Sequence, residues 1–407
     1  MKVAFIGNCC NNHYVLVKEL RKKGIDAHLF LTKNDIYNFQ NLPESEDFYL
    51  KDKYPDWIHT ITYSLYDKLF YVWPIGKYWK KKLLEFDIVH THANYAPEIR
   101  KIGIPYVIHP YGTDFFTYPF RLAISKKIGY INPYYWFTPL NVREAIRKAD
   151  SIILSFRNPL WKQGYKLLQN DSKVAFIPLG INLEKYKYGY KSNNLFKKKW
   201  PEFNFFVLQV TRQSWRKETV RLVGGDKGND VLIRAFAKFC KIEKDAVLVL
   251  IRSGSDINAS ESIIKSLKIE KNVRWIEPVP REKLLDYFYS ADITVDSLNT
   301  IYGGVGMESM SCGVPLMMNL KIGKYDKLFG EIPPCIHIED EKTIFDNLSY
   351  FYKNREKLMQ ISKKERTFVE KYHDVNSITD KLLLLYNDIL NRDSKFPNYV
   401  SNNLYIS

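Results

Sequence analysis

Two doubly wound α/β domains, each a parallel sheet covered by helices on both faces, are the fold class this sequence predicts. Three observations carry it. At 407 residues the chain is too long for one ordinary core. Short apolar, β-rich runs alternate with longer helical patterns, the signature of parallel sheets. That alternation occurs twice, on either side of the polar, unpatterned "YGYKSNNLFKKKWPEF" (188–203), which reads as a linker. The expected division is a first domain over 1–190, completed by a returning C-terminal helix at about 377–407, and a second over 191–376. The two face a central cleft.

The first-half strands are expected at 2–6, 27–31, 87–92, 105–110, 151–155 and 174–178. The second-half strands fall at 205–211, 246–251, 273–278, 293–296 and 315–319. Among the helices, "NDVLIRAFAKFCKIE" repeats Val231/Leu232, Ala235/Phe236 and Phe239/Cys240 every four residues, one apolar stripe facing a core.

Composition bounds the function. "MKVAFIGN" reads as a strand rather than a signal peptide, and no apolar run approaches a bilayer-spanning length. Five cysteines with no metal spacing suit a reducing cytoplasm, the expected location. Residues 1–200 hold 31 Lys+Arg against 17 Asp+Glu, a net of +14, which leaves +2 of the chain's +16 for the rest. A basic half attracts nucleic acid, anionic headgroups or phosphorylated substrates, and charge alone does not choose among them. No nucleic-acid motif accompanies it, so no nucleic-acid partner is expected.

In doubly wound sheets ligands bind beyond the carboxyl ends of the strands, so those positions carry the chemistry. After the first strand, Gly7 permits a tight turn, and Gly7 and Asn8 lead into a helix opening near Asn12 with free N–H groups. "HTH" (90–92) sets two imidazoles on one strand face. With no third ligand evident in sequence, hydrogen-bonded core histidines are the plainer reading, and no metal is assigned. "VIHPYGTDFF" (107–116) delivers His109 and Asp114 at a strand exit. Histidine can polarise or accept a proton and aspartate can orient it, although Asp114 could equally cap the next helix.

In the second half, Arg212 follows a strand, and Lys227 in "GGDKGND" opens a helix. An arginine fork and a mobile lysine at a helix start suit a diphosphate without a metal. Two surface cations at loop ends are the bland equivalent. "YGGVGMESMSCGVP" (302–315) reads as a glycine loop, with Gly303 and Gly304, entering a short helix that stops at Gly313. Glu308 is placed in its first turn, where a carboxylate accepts ribose hydroxyls or simply offsets the helix dipole.

Taken in order, "FDIVHTH", "VIHPYGTDF", "VAFIPLGINLEKY", "KGNDVLIRAFAKF", "NVRWIEPVPREKLLDYFYSADITVD" and "GGVGMESMSCGVPLM" span nearly the whole chain. Together they resemble the landmarks of GT-B glycosyltransferases of the family 4 type. The resemblance implies two Rossmann-like domains and transfer of a sugar, with retention, from a UDP- or GDP-linked donor. The acceptor would be a sugar or lipid-linked molecule in polysaccharide, glycolipid or glycoprotein assembly. It implies no cofactor and no metal. By the same resemblance Arg212 and Lys227 hold the donor diphosphate, and Gly303, Gly304, Glu308 and Thr300 the donor sugar and ribose. His109 and Asp114 are then catalytic, and Gly7 and Asn8 form the first-domain loop.

Three features depart from the family pattern. Thr300 stands where the first of a glutamate pair is usual, with Asp296 four residues earlier. Pro110 and Tyr111 separate His109 from Gly112. The insertion "SWRKETVRLVGG" separates Arg212 from Lys227. A relative that binds or epimerises a nucleotide sugar is the alternative that Thr300 keeps open. Finally, "YDKLFYVWPIGKYWKKKLLEF" (66–86) and "YPFRLAISKKIGYINPYYWF" (118–137) interleave aromatics with cations. That pattern suits peripheral attachment to an anionic membrane surface, or an aromatic core edge with solvated lysines.

Overall fold

Strands rich in Val, Ile, Leu and Phe, buried on both faces, require helices above and below, and the chain supplies them. The structure is a computed structural model. It describes residues 1–61, 77–120, 134–156, 161–168, 173–189, 194–218, 225–299, 303–321 and 325–391. Two compact units form, one from Met1–Gly180 with the chain from Val375 onward, the other from Ile181–Asp374.

The first unit holds a seven-stranded sheet. Its strands are β1 (Lys2–Ile6), β2 (Asp26–Leu31), β3 (Ile58–Thr60), β4 (Ile88–Thr91), β5 (Tyr106–Ile108), β6 (Ser151–Leu154) and β7 (Val174–Phe176), in the order β3-β2-β1-β4-β5-β6-β7. Every recorded pairing is parallel. One face is covered by Val142, Ala145, Ile146 and Trp161. The other is covered by the helix Asn12–Lys22 and by Ile378, Leu382, Leu385 and Tyr386 of the final helix Val375–Asn391.

The second unit holds six parallel strands: β8 (Phe205–Gln209), β9 (Ala246–Ile251), β10 (Val273–Ile276), β11 (Ile293–Val295), β12 (Leu316–Met318) and β13 (Ile336–His337), in the order β10-β9-β8-β11-β12-β13. The helix Asn229–Ile242 buries the expected stripe, Leu232, Ala235, Phe236, Phe239 and Cys240, against this sheet.

Each sheet reverses its strand order once, between β1 and β4 in the first and between β8 and β11 in the second. At such switch points the loops beyond the carboxyl ends diverge and leave a crevice. The loops after β1, β8 and β11 carry Gly7, Asn8, Arg212, Lys227 and Gly303, whereas His109 and Asp114 follow β5.

Two expectations change. β3 and β13 were not foreseen: strands of three and two residues at sheet edges are too short to show a period. Part of the stretch expected as linker is folded. Leu195–Lys199 is a helix, and its Phe196 is buried and stacked on Tyr287 at 5.7 Å. The insertion after Arg212 is described only at its ends, and Thr300 and most of the two aromatic-basic segments lie outside the described residues.

Candidate functional site

In the second unit the loop leaving β8 is tied down residue by residue. Ser214 N donates to Asn229 Oδ1 (3.0 Å), and Asn229 in turn reaches Gln209 Oε1 (2.9 Å). Asp256 accepts from Trp215 N and Arg216 N at 2.8 and 2.9 Å, and Ser260 Oγ bonds Gln213 Oε1 at 2.8 Å. Within this loop Thr211 Oγ1, Gln213 Nε2 and Ser214 Oγ are buried with no protein partner among the described residues. Arg212 lies exposed between them.

Lys227 meets that loop through its backbone, its N–H donating to Ser214 O at 2.8 Å. Its carbonyl accepts from Leu298 N at 3.2 Å, which joins it to the segment after β11. Gly228 follows at φ +64° as the cap of the helix Asn229–Ile242. Asp296, at the end of β11, is buried. Burial pushes its carboxyl up, while the nearby Lys227 ammonium and the N–H groups of Ser297 and Gly303 hold it down. The fold therefore brings the Arg212 loop, Lys227, Asp296 and Gly303 to one switch point.

The glycine segment departs from expectation. Gly303 is the N-cap, while Gly304 and Gly306 lie inside the helix Gly304–Cys312 rather than in a loop before it. Glu308 is therefore in the second turn, not the first. Its burial is nearly complete, and Oε1 pairs with Arg281 Nη1 at 3.0 Å. Sequence reading missed Arg281; it opens the helix Arg281–Phe288, and nothing local marks it as a partner for a residue 27 positions on. Among the described residues nothing lies within 4 Å of a Cβ placed on Gly303, and Gly304 would meet Arg281 only at 3.5 Å. Protein packing does not demand glycine at either position.

In the first unit Gly7 turns at φ +80°, and a Cβ there would lie 2.4 Å from His92 Cδ2. The turn is a steric necessity. Asn8 is fully buried and committed: its side chain reaches Asn11 (2.7 Å) and the Asn41 carbonyl (2.6 Å), and accepts from Tyr14 N (2.9 Å). The helix start at Asn12 is thus partly satisfied from within, not fully open as expected.

His109 is buried and held on both ring nitrogens. Nε2 lies 2.6 Å from Ser155 Oγ, while Nδ1 lies 3.1 Å from His90 Nε2 and 3.0 Å from the Tyr111 hydroxyl. Burial, with the nearby His13, drives it well below the usual histidine range, so it is neutral. Asp114 bonds elsewhere. Its carboxylate accepts from the backbone N–H groups of Ala93, Tyr111 and Gly112 at 3.2, 3.2 and 2.8 Å, which closes the 109–114 turn. Burial raises its carboxyl against those bonds. The residues that orient His109 are Ser155, His90 and Tyr111. A pocket beside it is lined by Asn12, Leu16, His109, Tyr111, Leu179 and Leu382.

No described helix is long and apolar enough to cross a membrane. Residues 195–368 match the family model described as "Glycosyl transferases group 1". The D-inositol 3-phosphate glycosyltransferase of Corynebacterium diphtheriae is 28% identical over 155 residues, 36% of this chain and 35% of that relative. The chain thus spans about a third of that curated relative's length. Among solved structures, Anabaena Alr3699/HepE in complex with UDP-glucose aligns with a TM-score of 0.67 at 14% identity, over 94% of this chain and 98% of that one. Sucrose-phosphate synthase from Thermosynechococcus elongatus gives 0.67 at 16%, over 97% and 100%. At such identities these likenesses speak for the fold alone, which is GT-B. Through residues 195–368, the chain is similar to the group 1 glycosyl transferases.

Proposed function

We propose that this chain is a glycosyltransferase that moves a sugar, with retention, from a UDP- or GDP-linked donor to a sugar or lipid-linked acceptor. One observation supports it most: Lys227 is bonded through its backbone to both the Arg212 loop and the segment after β11, at the switch point of the second sheet. A cation whose backbone is fixed there, bonded to the loop that carries Arg212, matches what a departing diphosphate needs. Buried polar atoms in the same loop, and two glycines that packing does not require, fit a bound nucleotide sugar. The neighbour solved with UDP-glucose supports the donor class.

In this reading Arg212 and Lys227 offset the diphosphate charge without a bridging cation. Glu308, steadied by Arg281, receives the ribose, and Gly303 and Gly304 let the donor approach the backbone. Both nitrogens of His109 are engaged, so it contributes a fixed neutral edge to the pocket of the first unit, with Asp114 shaping the turn that presents it. Gly7 and Asn8 form the glycine loop of the first unit. The excess positive charge of the first 200 residues favours an acceptor carried at an anionic surface.

A panel of UDP- and GDP-sugars scored by thermal shift tests the donor site, since a ligand that binds only the native state raises Tm by mass action. One member of the panel should stabilise the wild type and leave Lys227→Ala unmoved. Release of UDP or GDP should then require an acceptor and should not rise with added Mg²⁺. Equal stabilisation of wild type and Lys227→Ala would count against the site.

A further inference from the structure

Three histidines from three elements meet in the core of the first unit: His13 on the first helix, His90 on β4 and His109 just beyond β5. One ring nitrogen from each lies within 4.8 Å of the other two, and all three residues are buried. The "HTH" motif supplied only one of them. The other two arrive because β1, β4 and β5 are neighbours in the sheet and the helix after β1 folds back over them.

The nitrogens that point away from this meeting are each held. His13 Nδ1 lies 2.7 Å from the Gly7 carbonyl, His90 Nδ1 2.5 Å from the Tyr386 hydroxyl, and His109 Nε2 2.6 Å from Ser155 Oγ. A carbonyl can only accept, so His13 carries its proton on Nδ1, and its Nε2 is a lone pair. That Nε2 is fully buried and has no protein partner among the described residues. An unpaired acceptor in such a place normally costs about 1–3 kcal/mol. Metal-bound histidines show this arrangement, with the far nitrogen fixed by a carbonyl, hydroxyl or carboxylate and the near one presented to the ion.

We propose that His13 Nε2, His90 Nε2 and His109 Nδ1 bind one divalent transition-metal ion of the zinc class. His90 Nε2 and His109 Nδ1 are 3.1 Å apart, close to the edge of about 3.4 Å that a tetrahedral zinc–imidazole site requires. The His13 ring needs to close by at most about 1.5 Å to complete the triangle. The Tyr111 hydroxyl, 3.0 Å from His109 Nδ1, is the nearest fourth donor. The pocket lined by Asn12, His109 and Tyr111 offers a way in. Imidazole sets of this kind suit zinc, copper, nickel or cobalt rather than magnesium or calcium. The site shares His109 with the pocket of the first unit but no residue with the donor diphosphate site, and its test reads metal stoichiometry rather than turnover, so its failure and failure of the proposed reaction are distinguishable.

The full chain is purified from zinc-supplemented cells, desalted and analysed for metal, then stripped and titrated with Co²⁺ while visible absorption is followed. One equivalent of zinc, and d–d bands that saturate at one equivalent of Co²⁺, are expected. His13→Gln and His90→Gln should lose both signals, and His28→Gln, a half-buried histidine on β2 of the same sheet, should keep them. Folding of each variant is checked by circular dichroism. The wild-type chain decides the matter even where a variant fails to fold. Folded wild type with no stoichiometric zinc and no Co²⁺ bands overturns the site, as does a folded His13→Gln that retains wild-type stoichiometry. Metal lost on desalting, with no defined Co²⁺ spectrum, means an adventitious ion only and also overturns it.

Discussion

Gly228 sits where backbone conformation and packing act on the same atom. At φ +64° an L-residue pays about 1–2 kcal/mol, and a Cβ here would stand 2.8 Å from Leu298 Cβ. Leu298 donates its N–H to the Lys227 carbonyl, so whatever moves Leu298 moves the lysine. Gly228→Ala is expected to cost about 1–3 kcal/mol in urea denaturation and to blunt the thermal-shift response to the bound nucleotide sugar. A variant that loses stability but answers the donor like the wild type would separate Gly228 from the site. The same scale explains Glu308. The sequence offered the carboxylate; its partner Arg281 comes from another helix, and only folding brings the two within 3.0 Å.

Among the elements, the helix Arg355–Tyr372 carries an ionisable group where none is comfortable. Glu365 is fully buried. Its Oε1 accepts from Leu316 N at 3.0 Å, at the start of β12, while Oε2 has no partner among the described residues. Burial drives its carboxyl well above the usual carboxylate range, only partly opposed by the Leu316 N–H and the Cys335 thiol. Because the folded value is raised, the native state holds a proton that the unfolded chain has released. The glutamate's stabilising share is complete below the unfolded carboxylate value, near 4.5, and is lost as pH rises towards the folded value. Glu365→Gln keeps the bond to Leu316 and removes the titration. Its Tm should exceed that of the wild type at pH 8, with the gap narrowing towards pH 5. A pH-independent gap in differential scanning fluorimetry would refute this account.

For the whole molecule, the final helix Val375–Asn391 decides whether the first unit exists. It places Val375, Ile378, Leu382, Leu385 and Tyr386 in the core formed by β1, β2 and the first helix. Burying these side chains contributes on the order of 10 kcal/mol gross, comparable with the net stability of a typical domain. A chain ended after Asp374 should therefore lose protection in the first unit while Ile181–Asp374 stays folded. Limited proteolysis read by mass spectrometry checks it, and wild-type resistance of residues 1–180 would overturn it.

By itself the sequence determined the strand–helix rhythm, the duplication, the long strands and the stripe on Asn229–Ile242, because periodicity and β-branched runs are local properties. It also placed Gly7 and Lys227 at the ends of the right elements, since the chain order of turns is visible in one dimension. Tertiary structure alone decided what those residues touch. Edge strands β3 and β13 exist through pairing with neighbours. Asn8 is spent on Asn11 and Asn41, and Asp114 on backbone N–H groups. Glu308 lies one helical turn deeper than read, because helix formation claimed Gly304 and Gly306. The meeting of His13, His90 and His109 is the extreme case. Residues 77 and 19 positions apart become neighbours only when parallel strands align, and no local pattern encodes that distance.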